Sequence, residues 1–177
     1  MIELVSKILS IMTVAAQIFL VGGLIYFLAV RRDRGNRFRG FLWRRGPFLA
    51  FLVALAATLG SLFYSQVAGY PPCDLCWYQR IAMYPLVVLL AMSLMKKDRS
   101  VLDYGLALLI IGALLSLYHN YLYYGRSALA ACTISGSGVS CLAQYVTEFN
   151  YVTIPIMALS AFLLMIFLLS VARRPSI

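Results

Sequence analysis

Cys73 and Cys76 stand in C-x-x-C spacing within Pro71-Pro72-Cys73-Asp74-Leu75-Cys76-Trp77-Tyr78-Gln79-Arg80, directly ahead of an apolar run that reaches Met95. Proline is costly inside a helix, so a helix is expected to start just after Pro72, with Cys73 at or near its cap and Cys76 one turn in. Unpaired amide N–H groups and the positive end of the helix dipole favour a thiolate there, and C-x-x-C thiols commonly have lowered pKa values. Arg80 follows Cys76 at i+4, on the same face, and adds a permanent positive charge. The chemistry this spacing suits is the making and breaking of a disulfide.

Cys132 and Cys141 form a second pair around Thr133-Ile134-Ser135-Gly136-Ser137-Gly138-Val139-Ser140, a small, polar, glycine-bearing run expected to be flexible. Three chemistries compete for the cysteines. A structural zinc site would use all four thiolates, but no histidine or carboxylate cluster supports it, and Arg80 would repel the cation. No metal is expected. Two static disulfides suit the loop pair, where a bridge closes a loop. A bridge across Cys73 and Cys76 staples almost nothing, because those residues are already near neighbours in the chain. Two exchanging dithiol/disulfide pairs account for both.

Positioning these thiols falls to apolar helices. The chain is 63% hydrophobic and 12% charged, where soluble domains run about half and about a quarter; the mean hydropathy is +0.88. Runs at 8–30, 47–69, 77–95, 101–123 and 152–172 are each long enough to cross a bilayer. The expected fold is an all-α membrane protein, a four-helix transmembrane bundle plus one additional N-terminal transmembrane helix. Pro47 suits the first position of the second span, which leaves residues 31–46 as an arginine-rich loop.

The net charge of +9 is clustered: Arg31, Arg32, Arg34, Arg37, Arg39, Arg44 and Arg45, then Lys96, Lys97 and Arg99, then Arg173 and Arg174. Bases packed between apolar spans follow the positive-inside bias and argue against nucleic acid as a partner. A cleaved secretory signal is disfavoured, since its apolar region is shorter and its charge precedes it. With all three clusters cytoplasmic, the N-terminus lies outside, the C-terminus inside, and all four cysteines on the outer side, where disulfides persist.

Further residues at the outer end invite a role. Arg80, about a turn inside a span, is expensive unless it faces protein, water or an anion; snorkelling to outer headgroups is the plainer alternative. His119, the single histidine, has a structural role as its ordinary explanation but shares the membrane level of Arg80. Tyrosines crowd the outer end, among them Tyr64, Tyr70, Tyr78, Tyr118, Tyr121, Tyr123 and Tyr145. An interfacial belt explains part of that, and the excess suggests an amphipathic pocket for an aromatic ligand. Leu142, Tyr145, Val146 and Phe149 recur at i, i+3, i+4 and i+7, which fits either a short interfacial amphipathic helix or an ordinary loop.

The run from Pro72 to Arg80 resembles the first-loop motif of the DsbB family of disulfide bond formation proteins, and is closest to its BdbC-type branch. The resemblance extends over residues 47–172: four spans, a C-x-x-C after the first of them, and a second cysteine pair in the following outer loop. It implies a four-helix membrane oxidoreductase of the bacterial inner membrane that reoxidises a DsbA-like, thioredoxin-fold partner and passes the electrons to a membrane quinone, ubiquinone or menaquinone. By position, Cys73 and Cys76 match the quinone-linked pair, Cys132 and Cys141 the partner-facing pair, and Arg80 the arginine beside the quinone. Gln79 and His119 are further candidate quinone contacts. Residues 1–46 form an addition before this core, residues 47–172 the redox domain, and 173–177 a cytoplasmic tail. Two alternatives stand beside this reading. One is a vitamin K epoxide reductase-like protein, disfavoured because there the loop cysteines precede the C-x-x-C. The other is a non-catalytic membrane protein with structural disulfides.

Overall fold

The computed structural model describes residues 2–29, 37–125 and 145–173. Cys132 and Cys141 lie outside these residues. Five helices account for nearly all of what is described: α1 (Ile2–Ala29), α2 (Arg37–Leu62), α3 (Asp74–Lys96), α4 (Val101–Gly125) and α5 (Ile154–Arg173). Each is long and apolar enough to cross a membrane. The shortest, α5, has 20 residues, which at about 1.5 Å per residue matches a hydrocarbon core of about 30 Å. A helix satisfies its backbone groups internally, as lipid requires. The protein is an all-α membrane protein.

Helices α2, α3, α4 and α5 pack as a closed ring of neighbours, and α1 lies outside it, chiefly against α5. Leu86, Leu90, Leu109, Phe162, Met165 and Leu168 are among the buried core side chains. In lipid, helix association depends on close packing and interhelical hydrogen bonds, because tails are as apolar as leucine. Both devices are present. Gly112 of α4 leaves room for the Phe162 ring of α5, which a Cβ there would overlap. Asn120 donates from Nδ2 to the Ser116 and Pro155 carbonyls, at 2.8 and 3.0 Å, tying α4 to the start of α5.

Arg99 and Arg173 meet their partners at one end of this ring. Arg99 donates to the Ala172 carbonyl at 2.8 Å and its guanidinium lies 3.7 Å from the centre of the Trp43 ring. Arg173 pairs with Asp103 at 2.7 Å. The C-x-x-C motif lies at the other end.

Two local expectations are corrected. The second span does not begin at Pro47: α2 starts at Arg37, so Arg37, Arg39, Arg44 and Arg45 are helical rather than part of a loop, and Pro47 lies inside the helix. Arginine, leucine and tryptophan tolerate a helix well, and Pro47 removes a single hydrogen bond from it. Nor does the segment after residue 144 form an amphipathic helix where it is described. Thr147–Glu148 (β1) pairs antiparallel with Val152–Thr153 (β2). Phe149 and Asn150, both at positive φ (50° and 65°), turn the chain between them, and the β-branched Thr147, Val152 and Thr153 suit the strands.

Candidate redox site and its pocket

The approach to α3 is built by backbone chemistry. The last turn of α2 widens into a π-helical turn at Phe63–Val67, a form often found at functional sites. Gly69 then takes φ 72°, a conformation easy for glycine alone, and Pro71-Pro72 forbid a return to helix. Cys73 is the N-cap of α3: its backbone is extended and its Sγ accepts the Cys76 N–H at 3.4 Å. The C-x-x-C spacing thus places one thiol at the helix end and the other one turn in, as expected.

The two sulfurs are 2.8 Å apart, both as free thiols. Cys73 is buried and Cys76 half-buried. The Cys73 thiol, which precedes α3, is pushed up to about 12, first by its hydrogen bond with Cys76 and then by burial, with His119 opposing. The lowered pKa that the motif suggested does not hold for Cys73. A cap exposed to water would favour the thiolate, whereas this one is enclosed and shares its proton with a neighbouring sulfur.

His119 reaches this pair from α4. Its Nε2 lies 4.0 Å from Cys73 Sγ and its Nδ1 3.1 Å from Gln79 Nε2. With the Gln79 amide donating to Nδ1, the ring proton sits on Nε2 and is directed at sulfur. Gln79, His119 and Arg80 are all buried. Arg80 does not extend to the surface: it donates to the Ser61 carbonyl at 3.0 Å, where α2 approaches, and its guanidinium lies 5.3 Å from the Trp77 ring centre.

These residues form the polar end of a cavity of about 290 Å³. Its walls are otherwise mostly apolar, with Met83, Phe162 and Leu164 among them, and Tyr64, Tyr70, Tyr123 and Tyr145 at the redox end. The tyrosine excess is partly a stack: Tyr64 lies on Tyr70, with centroids 6.0 Å apart, and Tyr70 on Tyr145, at 4.8 Å. The structure therefore brings together Cys73, Cys76, Gln79, Arg80 and His119 in one place.

Sequence reasoning missed the part played by α1. Leu9, Met12, Thr13 and Ala16 line the same cavity. The signal was a polar stripe at Ser6, Ser10, Thr13 and Gln17, spaced by four, three and four along an otherwise apolar helix. That stripe faces protein: Ser6 bonds Tyr64 at 3.3 Å and Gln17 donates to Ser160 at 2.8 Å. Cys73, Cys76 and His119 also offer three metal-ligating atoms within 4.8 Å of one another. The nearby Arg80 cation, which lines the same cavity, opposes a metal ion there.

Comparison with known proteins supplies the family. The model for the disulfide bond formation protein DsbB matches residues 44–172. Disulfide bond formation protein C of Bacillus subtilis is 45% identical over 122 residues, covering 67% of this chain and 86% of that protein. A probable disulfide formation protein C of Halalkalibacterium halodurans is 44% identical over 118 residues, 65% of this chain and 83% of the relative. A probable disulfide formation protein of Metapseudomonas resinovorans is 41% identical over 126 residues, 71% and 88% of the two chains. No solved structure matches. With a C-x-x-C pair at the cap of one membrane helix, a cavity beside it, and these relatives over most of its length, the chain belongs to the DsbB family of disulfide bond formation proteins.

Proposed function

We propose that the protein is a protein-dithiol:quinone oxidoreductase of the bacterial inner membrane, which reoxidises a DsbA-like thioredoxin-fold partner and thereby supports disulfide formation in secreted proteins. The observation that carries this reading is the adjacency of the Cys73–Cys76 pair to an apolar cavity whose polar end is Arg80, Gln79 and His119. A quinone is a flat apolar ring with carbonyl acceptors, and a mostly apolar cavity with a few convergent donors suits it. Arg80, Gln79 and His119 would hold its polar edge. When bound, the quinone, ubiquinone or menaquinone, supplies a two-electron acceptor.

The chain's own thiols carry the electrons to that point. A partner thiolate attacks the Cys132–Cys141 disulfide at Cys132, forming a mixed disulfide and releasing Cys141; the partner's second thiol resolves it, leaving the partner oxidised and the loop pair reduced. Exchange between the loop pair and the Cys73–Cys76 disulfide then restores the first and reduces the second. Two electrons and two protons move at each stage. Both thiols line the cavity, and Cys76, which shares a helix face with Arg80 at i+4, is the donor sulfur. Arg80 sets a fixed positive charge beside it, stabilising anionic sulfur and negative charge on an acceptor oxygen alike.

Arg80 provides the test. Partner oxidation by purified Arg80→Ala, with quinone varied, should fall by about 100-fold, the scale of losing one preorganised donor. Arg80→Lys should be impaired as well, since it keeps the charge but loses the planar fork. Stoichiometric exchange between partner and loop disulfide, measured without quinone, should survive in both. Wild-type quinone kinetics in Arg80→Ala would overturn the quinone site.

A further inference from the structure

The cavity has a wall that the family match does not include. The matched segment begins at residue 44, yet α1 closes one side of the cavity. It is anchored at both ends of that contact. A Cβ on Gly23 would meet the Phe167 ring of α5 at 2.9 Å, and one on Gly60 of α2 would meet the Leu9 side chain at 3.2 Å, so side chains fill the space these glycines leave. Gln17 adds its hydrogen bond to Ser160 of α5.

Between α1 and α2 the wall is incomplete. Helix α1 packs chiefly against α5 and touches α2 little, and on the two sides of the α1–α2 seam Met12 and Leu52 line the cavity and are about half exposed. Both sit near the middle of their helices, at a depth where the surroundings of a membrane helix are hydrocarbon. A loosely packed seam between two membrane helices at that depth opens the cavity to lipid. Its chemistry is that of an isoprenoid chain, which is apolar throughout and makes no demand for hydrogen bonds. At the far end of the same cavity are Arg80, Gln79 and His119.

We propose that the seam between α1 and α2 at Met12 and Leu52 is a lateral portal, through which a tailed quinone enters from the bilayer and in which its isoprenoid tail stays while the ring lies at Arg80. The proposal rests on the quinone reading above. On this account α1 converts a cleft open to lipid into a slot that admits its ligand end-on, and the side chains at Met12 and Leu52 set the rate of entry.

The experiment compares quinones that share a ring but differ in tail: phylloquinone with menadione, and decylubiquinone with its tail-less parent. The full chain is reconstituted in liposomes, and quinone association is followed by quenching of tryptophan fluorescence, Trp77 lying beside Arg80, in parallel with turnover. Met12→Phe combined with Leu52→Phe narrows the seam and should slow association of tailed and tail-less quinones alike roughly tenfold, since each ring must pass it, and should weaken equilibrium binding of the tailed ones alone, whose tail stays in the seam. Met12→Ala combined with Leu52→Ala should speed association of both kinds, which keeps the test decisive if the bulky pair folds poorly. Ile18→Phe, on an exposed position of α1 that does not line the cavity, should change neither. Unchanged association of both kinds in the Phe pair, or an equal loss of equilibrium affinity for tailed and tail-less quinones, overturns the portal while leaving the quinone site standing. If no quinone quenches the wild-type protein, the quinone reading fails and the portal with it.

Discussion

At the scale of single residues, the two cysteines of the motif are chemically unequal although they are three positions apart. Cys73 is enclosed, capped onto its own helix and directed at by His119, and its thiol is pushed up to about 12. Both line the cavity, and Cys76 is the less buried of the two. In reduced protein, site-resolved alkylation with iodoacetamide as the pH is raised should therefore modify Cys76 well before Cys73. The sign follows from the proton: a thiol whose pKa is raised remains unreactive through neutral pH and gains thiolate only as the pH nears the raised value. Modification of Cys73 first would reverse the donor assignment. Gln79 acts on this pair at one remove, since its bond to Nδ1 fixes which His119 nitrogen faces sulfur.

At the scale of elements, the bundle depends on a few places where a side chain would not fit. Gly112 is the clearest, because a Cβ there would overlap the fully buried Phe162 ring, and Phe162 also lines the cavity. Gly112→Ala should destabilise the protein by about 1–3 kcal/mol, the usual cost of overpacking a core, read as a lower midpoint of thermal unfolding in detergent. Gly22→Ala is the matched control, since a Cβ at Gly22 meets nothing within 4 Å. It should leave stability unchanged or slightly raised, alanine being the better helix former. If both substitutions behave alike, the α4–α5 contact is not as close as described.

At the scale of the whole molecule, Arg99 and Arg173 lie at one end of the bundle and the C-x-x-C pair at the other. The positive-inside bias predicts that the basic end lies in the cytoplasm. Single cysteines introduced into a variant lacking the native four should report this directly. Thr147→Cys, near the redox end, should react in intact cells with a membrane-impermeant maleimide, and Lys96→Cys, at the basic end, only after lysis. The opposite pattern would invert the protein in the membrane and remove the oxidising side from its thiols.

The sequence by itself determined whatever depends on covalent spacing. Helical periodicity put Arg80 on the face of Cys76; Pro71 and Pro72 fixed where α3 could begin, hence Cys73 as its cap; and run length marked five membrane helices. What the tertiary structure decided are the meetings across long separations. Cys73 and His119 are 46 positions apart, Gln17 and Ser160 143, and no periodicity relates them. Nor did the local pattern around residue 47 show that α2 would run back to Arg37, because the cost of one proline, a lost hydrogen bond and a ring clash with the preceding turn, is outweighed by ten further helical residues. The physical reason is general to lipid. A leucine gains little by facing another helix rather than a hydrocarbon tail, so an apolar run reveals that it spans but not which face finds a partner. Only the small and polar positions, Gly23, Gly60, Gly112 and the stripe from Ser6 to Gln17, carry that information, and their meaning emerges once the helices they join are in place.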